Sequence, residues 1–172
     1  MSFLFLTKAG MPPIAKSTSK KTTSKASGKR SASGKNEIKI KYSDKSPGQP
    51  QLVPIFDEIK KMLTSYDKGT MKLFGGREGK VMLISKKPVE IFGRKRDELW
   101  FASALVQKGY VGFYYMPVYG DNEIKKLIKP ELLKCLKGKA CFHINKFDKE
   151  IFSQIKDALK TGYDCWQKRE WI

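Results

Sequence analysis

The chain has 172 residues, and its 35 Lys and Arg against 17 Asp and Glu give a net charge of +18 with the one His neutral. That length suits one domain of ordinary size, and no apolar run approaches the roughly 20 residues of a membrane-spanning helix. MSFLFL at the start falls short of the roughly 7–15 apolar residues of a secretory signal, and three cysteines without a Cys-x-x-Cys pair argue against a disulfide framework, so a reducing, cytoplasmic setting without a membrane partner is expected.

Charge divides unevenly along the chain. Residues 1–50 hold 11 Lys/Arg against two acids and residues 51–172 hold 24 against 15, so each segment nets +9. In the first segment Lys16, Lys20, Lys21, Lys25, Lys29, Arg30 and Lys35 are spaced through Ser, Thr and Gly without apolar periodicity. Such a stretch buries too little surface to offset the entropy of ordering and is expected to be disordered. Its cations suit a phosphate backbone, which would give non-specific nucleic-acid association that weakens steeply with salt. A solvating extension and an organelle-targeting peptide are the other readings, the last disfavoured by Lys in place of Arg. SDKSPGQPQ (43–51) reads as a linker, so the tail and linker cover 1–50 and the folded domain 51–172.

Ile55, Phe56, Ile59, Met62 and Leu63 are spaced as one face of a helix, with Pro54 suited to its first turn. TMKLF (70–74), VMLIS (81–85) and PVEIF (88–92) read as strands, with GGREGK and GRKRDE as turns. ELWFASALVQ and YVGFYYMPVY flank Lys108-Gly109 as a hairpin. A helical pair, roughly 122–128 and 130–137, starts its second part at Pro130 and stops at Gly138. KACFHIN (139–145) reads as a last strand. Ile151, Phe152, Ile155, Ala158 and Leu159 form a closing helix, with Asp148 as its N-cap and Gly162 just beyond it. The order α-β-β-β-β-β-α-β-α with short connections predicts an α+β fold, an antiparallel sheet packed by helices.

The segment YVGFYYMPVYG, then PELLKCLKGKACF, then an amphipathic helix resembles the YdhG-like domain family over about 52–172. Ala140 and His143 stand where that motif has Ser and Asn. The resemblance implies a frataxin-like α-β-α sandwich. It also implies, as one functional alternative, an intracellular iron-binding chaperone. Such a site would use a carboxylate ridge on the first helix, where this chain interleaves Asp57 and Glu58 with Lys60 and Lys61.

Other motifs point to little chemistry. GGREGKV (75–81) lacks phosphate-loop spacing and has Val81 where a hydroxyl would reach magnesium, so it reads as a turn. Cys141 and His143 share one face of a strand. They are the best soft-metal pair, yet two ligands are too few for structural zinc. No paired carboxylates or nucleophile elbow accompany the single histidine, so a non-enzymatic binding module without a cofactor is expected.

The strand 110–119 raises the main question, because it is apolar on both faces. Val111, Phe113 and Tyr115 should point one way, and Tyr110, Tyr114, Met116 and Val118 the other. On 99–106, Trp100, Ala102 and Ala104 should share a side opposite Phe101. Both strands are therefore central. Two amphipathic helices cover one face; the other needs the 121–137 helices, the C-terminal DCWQKREWI, a partner or a ligand. A site there, for a small molecule or a protein, is expected along Trp100, Tyr114, Met116, Pro117 and Tyr119. Lys139 would add an anion contact, and Arg94-Lys95-Arg96 and Lys86-Lys87 would extend a basic surface.

Overall fold

The computed structural model describes residues 41–91 and 93–172, which belong to one compact unit. A 3₁₀ turn at Pro50–Leu52 leads into α1 (Val53–Thr64). The strands β1 (Met71–Arg77), β2 (Lys80–Ser85), β3 (Val89–Ile91), β4 (Arg94–Arg96), β5 (Leu99–Gln107) and β6 (Tyr110–Tyr115) follow. Then come α2 (Pro117–Gly120), α3 (Asn122–Lys126), α4 (Pro130–Lys134), β7 (Leu136–Lys137), β8 (Cys141–Ile144) and α5 (Lys149–Lys168). Six strands form an antiparallel sheet in the order β1-β2-β5-β6-β8-β7, while β3 and β4 form a separate two-stranded arm. The fold is α+β, with five helices among the described residues.

One face of the sheet packs against α1 and α5. Ile55, Phe56, Ile59 and Leu63 of α1 are buried, as are Phe152, Ile155, Ala158 and Leu159 of α5. They meet Val81, Leu83, Ala102, Ala104, Val111 and Phe113. Each large apolar side chain taken fully from water is worth about 1.5–3 kcal/mol, which makes this layer the main source of stability. Asp148 caps α5, accepting from the Glu150 and Ile151 amides at 2.8 and 3.3 Å. Among the described residues no helix is long and apolar enough to cross a membrane.

Five sequence expectations are corrected. The GRKRDE turn contains β4, because Gly93 (φ +69°) closes a tight hairpin and lets Arg94–Arg96 pair with β3. β6 stops at Tyr115: Pro117 has no N–H for a ladder and starts α2, so Met116 and Val118 do not continue the strand. Leu136 and Lys137 leave the helix for β7, pairing with Phe142 and Cys141 around the turn at Gly138 (φ +79°). Gly162 lies inside α5 and not beyond it. The GGREGK turn is likewise shorter than expected: Gly75, Gly76 and Arg77 belong to β1 and Lys80 to β2, so only Glu78-Gly79 turns. At the bulge between Gly75 and Arg77 the Gly76 carbonyl accepts from Lys60 Nζ at 2.7 Å.

The segment before α1 contacts the sheet. Tyr42 Oη donates to the Val106 carbonyl at 2.9 Å, and the Gln49 side chain both donates to the Gln107 carbonyl (3.1 Å) and accepts from Gly109 N–H (2.6 Å).

Candidate functional site

The site begins with an irregularity in β5. Ala102 lies opposite Leu83 but Trp100 lies opposite Ile84, so Phe101 is an extra residue in the ladder. Phe101 and Ala102 therefore both turn toward the helices, Phe101 meeting Trp166 edge-on at 4.9 Å and Tyr115 at 5.9 Å. Strict alternation would place Trp100 with Ala102 and Ala104. The bulge moves it to the opposite, outer face, 5.9 Å from the Tyr114 ring.

At the end of the sheet where β5 begins and β6 stops, a cleft of about 720 Å³ opens. Trp100, Met116, Pro117 and Tyr119 line it, so four of the six expected site residues converge there. Trp166 and Trp171 complete an aromatic wall, which places all three tryptophans of the chain in this cleft. Arg94, Lys95 and Arg96 of the β3–β4 arm form the basic rim, and all three are exposed. The volume falls within the range of small-molecule pockets.

Local chemistry fixes the wall. The Trp166 and Trp171 rings meet edge-on at 5.7 Å, and the Trp171 carbonyl accepts from Ser85 Oγ at 2.8 Å. The Arg169 guanidinium lies 5.1 Å from the Trp171 ring centre and pairs with Asp121. That guanidinium holds the Asp121 carboxyl below the usual carboxylate range, helped by the Glu123 and Ile124 amides that Asp121 caps. Of the acids in the cleft, Glu98 is paired with Lys86 and Asp121 with Arg169. Asp97 also lines the cleft, and among the described residues Arg94, Lys95 and Arg96 form no ion pair.

Two expected residues lie outside this cleft. Lys139 does not line the cleft but places its ammonium 5.4 Å from the Tyr119 ring centre. Tyr114 lines a second hollow of about 410 Å³ with Lys41, Tyr42, Lys45, Leu105 and Trp100, so Trp100 borders both. Burial pushes the Tyr114 hydroxyl up to about 12, with nearby Cys141 adding to the shift. Trp100 Nε1 and Ser103 Oγ are buried without hydrogen-bond partners.

Cys141 and His143 alternate on β8, and the His143 ring stacks on Tyr110 at 3.8 Å and 13°. Burial raises the Cys135 and Cys141 thiols above their ordinary values, so both stay protonated near neutral pH and are weak nucleophiles. Among the described residues no group of three or more His, Cys, Asp or Glu is placed to hold a metal. The tail cations Lys16, Lys20, Lys21, Lys25, Lys29, Arg30 and Lys35 lie outside the described residues.

Sequence reasoning assigned the C-terminal Trp residues to a cover, not to a site. Their spacing, a helical Trp166 and a second Trp five residues later past the helix end, was the available signal. Searched against protein-family models, curated proteins and solved structures, the chain matches none.

Proposed function

We propose that the chain is a non-enzymatic module that binds a planar, anionic small molecule in the cleft between the β3–β4 arm, α2 and the end of α5. The observation that carries this reading is the gathering of all three tryptophans beneath a rim of three cations. Flat aromatic faces take up planar rings with little loss of side-chain freedom, and guanidinium groups match carboxylate or phosphate geometry. Stable placement of Trp171 by Ser85 and of Arg169 by Asp121 supports a wall organised before ligand arrives.

Membership of the YdhG-like family, with a frataxin-like sandwich, is proposed on the motif and on the two-helix layer over one face of the sheet. A cytoplasmic setting is proposed on the three free cysteines. An iron-chaperone role has less support. Asp57 and Glu58 share α1 with Lys60 and Lys61, and Lys60 is committed to the Gly76 carbonyl.

Intrinsic tryptophan emission tests the main reading, since every reporter lines the cleft. Titration with a panel of aromatic carboxylates and nucleoside monophosphates should give saturable quenching by at least one member. Arg96→Ala should weaken that binding roughly tenfold, as expected for loss of a charge-assisted hydrogen bond. Emission unchanged by the whole panel would reject the proposal.

A further inference from the structure

The outer face of the sheet has a chemistry separate from the cleft. Strands β1, β2, β5, β6, β7 and β8 contain no Asp or Glu at all, while Lys72, Arg77, Lys80 and Lys137 are among their residues. Register places the side chains. Lys137, Cys141 and Tyr114 lie across three neighbouring strands on the outer face, and His143 lies opposite Gly112 in the adjacent row of the same face. On this face Met82, Ile84, Ser103 and Leu105 of β2 and β5 are buried. The accessible part is therefore the β6–β8–β7 side, where Tyr110, Tyr114 and His143 are half-buried and Lys137 is exposed, and it offers polyanions a surface without a repelling carboxylate.

The same face carries a row of half-buried rings. Tyr110 and Tyr114 flank Gly112, and a Cβ there would sit 3.0 Å from the Tyr114 ring and 3.6 Å from that of Tyr110. Tyr110 continues onto His143 through the 3.8 Å stack, and Tyr114 onto Trp100. Neither segment that the sequence offered as a cover lies here. The α3–α4 region packs on α5, where Leu132 N–H donates to Gln154 Oε1 at 2.8 Å and Lys129 pairs with Asp157. The C-terminal residues pack around Trp166 and Ser85. Among the described residues, Lys41, Tyr42 and Lys45 line the hollow beside Tyr114. Asp44 in that segment has its carboxylate taken up by the Ser46 amide and hydroxyl.

We infer that this outer face binds single-stranded nucleic acid, with Tyr110, Tyr114 and His143 stacking on bases and Lys41, Lys45 and Lys137 facing phosphates. Rings on a sheet surface stack on any base, because every base has a π face, and flanking cations supply affinity without sequence preference. A single strand fits this chemistry and a duplex does not, since duplex bases are already stacked on one another. A partner protein would be expected to meet a more apolar patch, less charged at its centre.

The full chain is tested by fluorescence anisotropy with a labelled oligothymidylate of roughly 12 nucleotides, against a duplex of equal length. Tyr110→Leu and Tyr114→Leu keep apolar bulk but remove the π face. Each should weaken single-strand binding roughly tenfold, given about 1–3 kcal/mol per stacked base, and leave the salt dependence unchanged. Lys137→Gln should instead flatten the salt dependence, by about 0.7 in the logarithmic slope. The basic N-terminal segment contributes equally to wild type and variants, so the difference isolates the face. A second readout needs no variant: the imidazole resonance of His143, the chain's only histidine, should shift upfield on addition of oligothymidylate. The inference is overturned if that resonance stays put, if the Leu variants bind like wild type, or if the duplex binds as tightly as the single strand.

Discussion

The Tyr115 hydroxyl occupies the space that a side chain at Gly162 would need. A Cβ built on Gly162 would lie 2.0 Å from Tyr115 Oη, and that hydroxyl donates to the Ala158 carbonyl one turn earlier in α5. Glycine in the middle of a helix costs about 1 kcal/mol relative to alanine, yet here it lets the sheet and the helix close on each other. Gly162→Ala should therefore destabilise by about 2 kcal/mol, since overpacking costs about 1–3 kcal/mol, despite the gain in helix propensity. Tyr115→Phe removes the clashing oxygen, and Gly162→Ala should cost less in that background. Denaturant melts of the four proteins in the cycle check this; additive effects would contradict it.

The Asp121–Arg169 pair ties the end of α5 to the start of α3. Asp121 is held below its ordinary value of 3.8, chiefly by the Arg169 guanidinium. A carboxyl depressed in the folded state adds stability that is present above its unfolded pKa and lost as pH falls through the folded one. Arg169 is well exposed, so the pair is worth about 1 kcal/mol or less. Tryptophan emission followed on acidification should show Arg169→Ala rearranging at higher pH than wild type. Coincident curves would show that the pair does not hold the wall.

His143 should titrate below the usual imidazole value, because burial and then Lys137 disfavour its protonated form. The sign follows: neutral His143 adds stability above its unfolded pKa of about 6.5, and that contribution fades as pH falls through the lower folded value. NMR titration should show Lys137→Gln raising the midpoint partway, with burial keeping the remainder. No change would place Lys137 too far from the ring to matter.

Much of this architecture is legible in the chain. Helix α1 and helix α5 are announced by apolar spacing, the Asp148 cap by its position, and the β5–β6 hairpin by Lys108-Gly109. The failures share a cause, in that local pattern is overridden by a single backbone event. The Phe101 bulge reverses Trp100, Pro117 ends β6 before Met116, and the pairing available to Leu136 and Lys137 draws them out of α4. Gly162 reads as a helix stop because glycine commonly is one, and the close approach of Tyr115 and Pro117 explains its place mid-helix. The sequence grouped Trp100, Met116, Pro117 and Tyr119 along one two-faced strand, whereas they meet because the bulge turns Trp100 outward and Pro117 starts α2. The contribution of Trp166, Trp171 and the β4 arm was not readable, since each comes from a distant part of the chain.

The basic rim should act on affinity and not on folding. Arg94, Lys95 and Arg96 are exposed on a short hairpin arm, and surface substitutions of this kind usually change stability by less than about 0.5 kcal/mol. Arg94→Ala and Lys95→Ala are therefore expected to leave the thermal midpoint close to wild type while lowering affinity for whichever panel anion quenches the tryptophans. A large loss of stability would mean that the arm is structural.

Native mass spectrometry of the full chain as purified from cells, beside Trp171→Ala prepared identically, tests the central claim most directly. The account predicts a retained small-molecule mass on the wild-type chain, or one acquired from the aromatic-anion panel, which the variant holds weakly or not at all. A wild-type chain that is bare as purified and stays bare through the panel, or a variant that retains the same mass equally well, would contradict it.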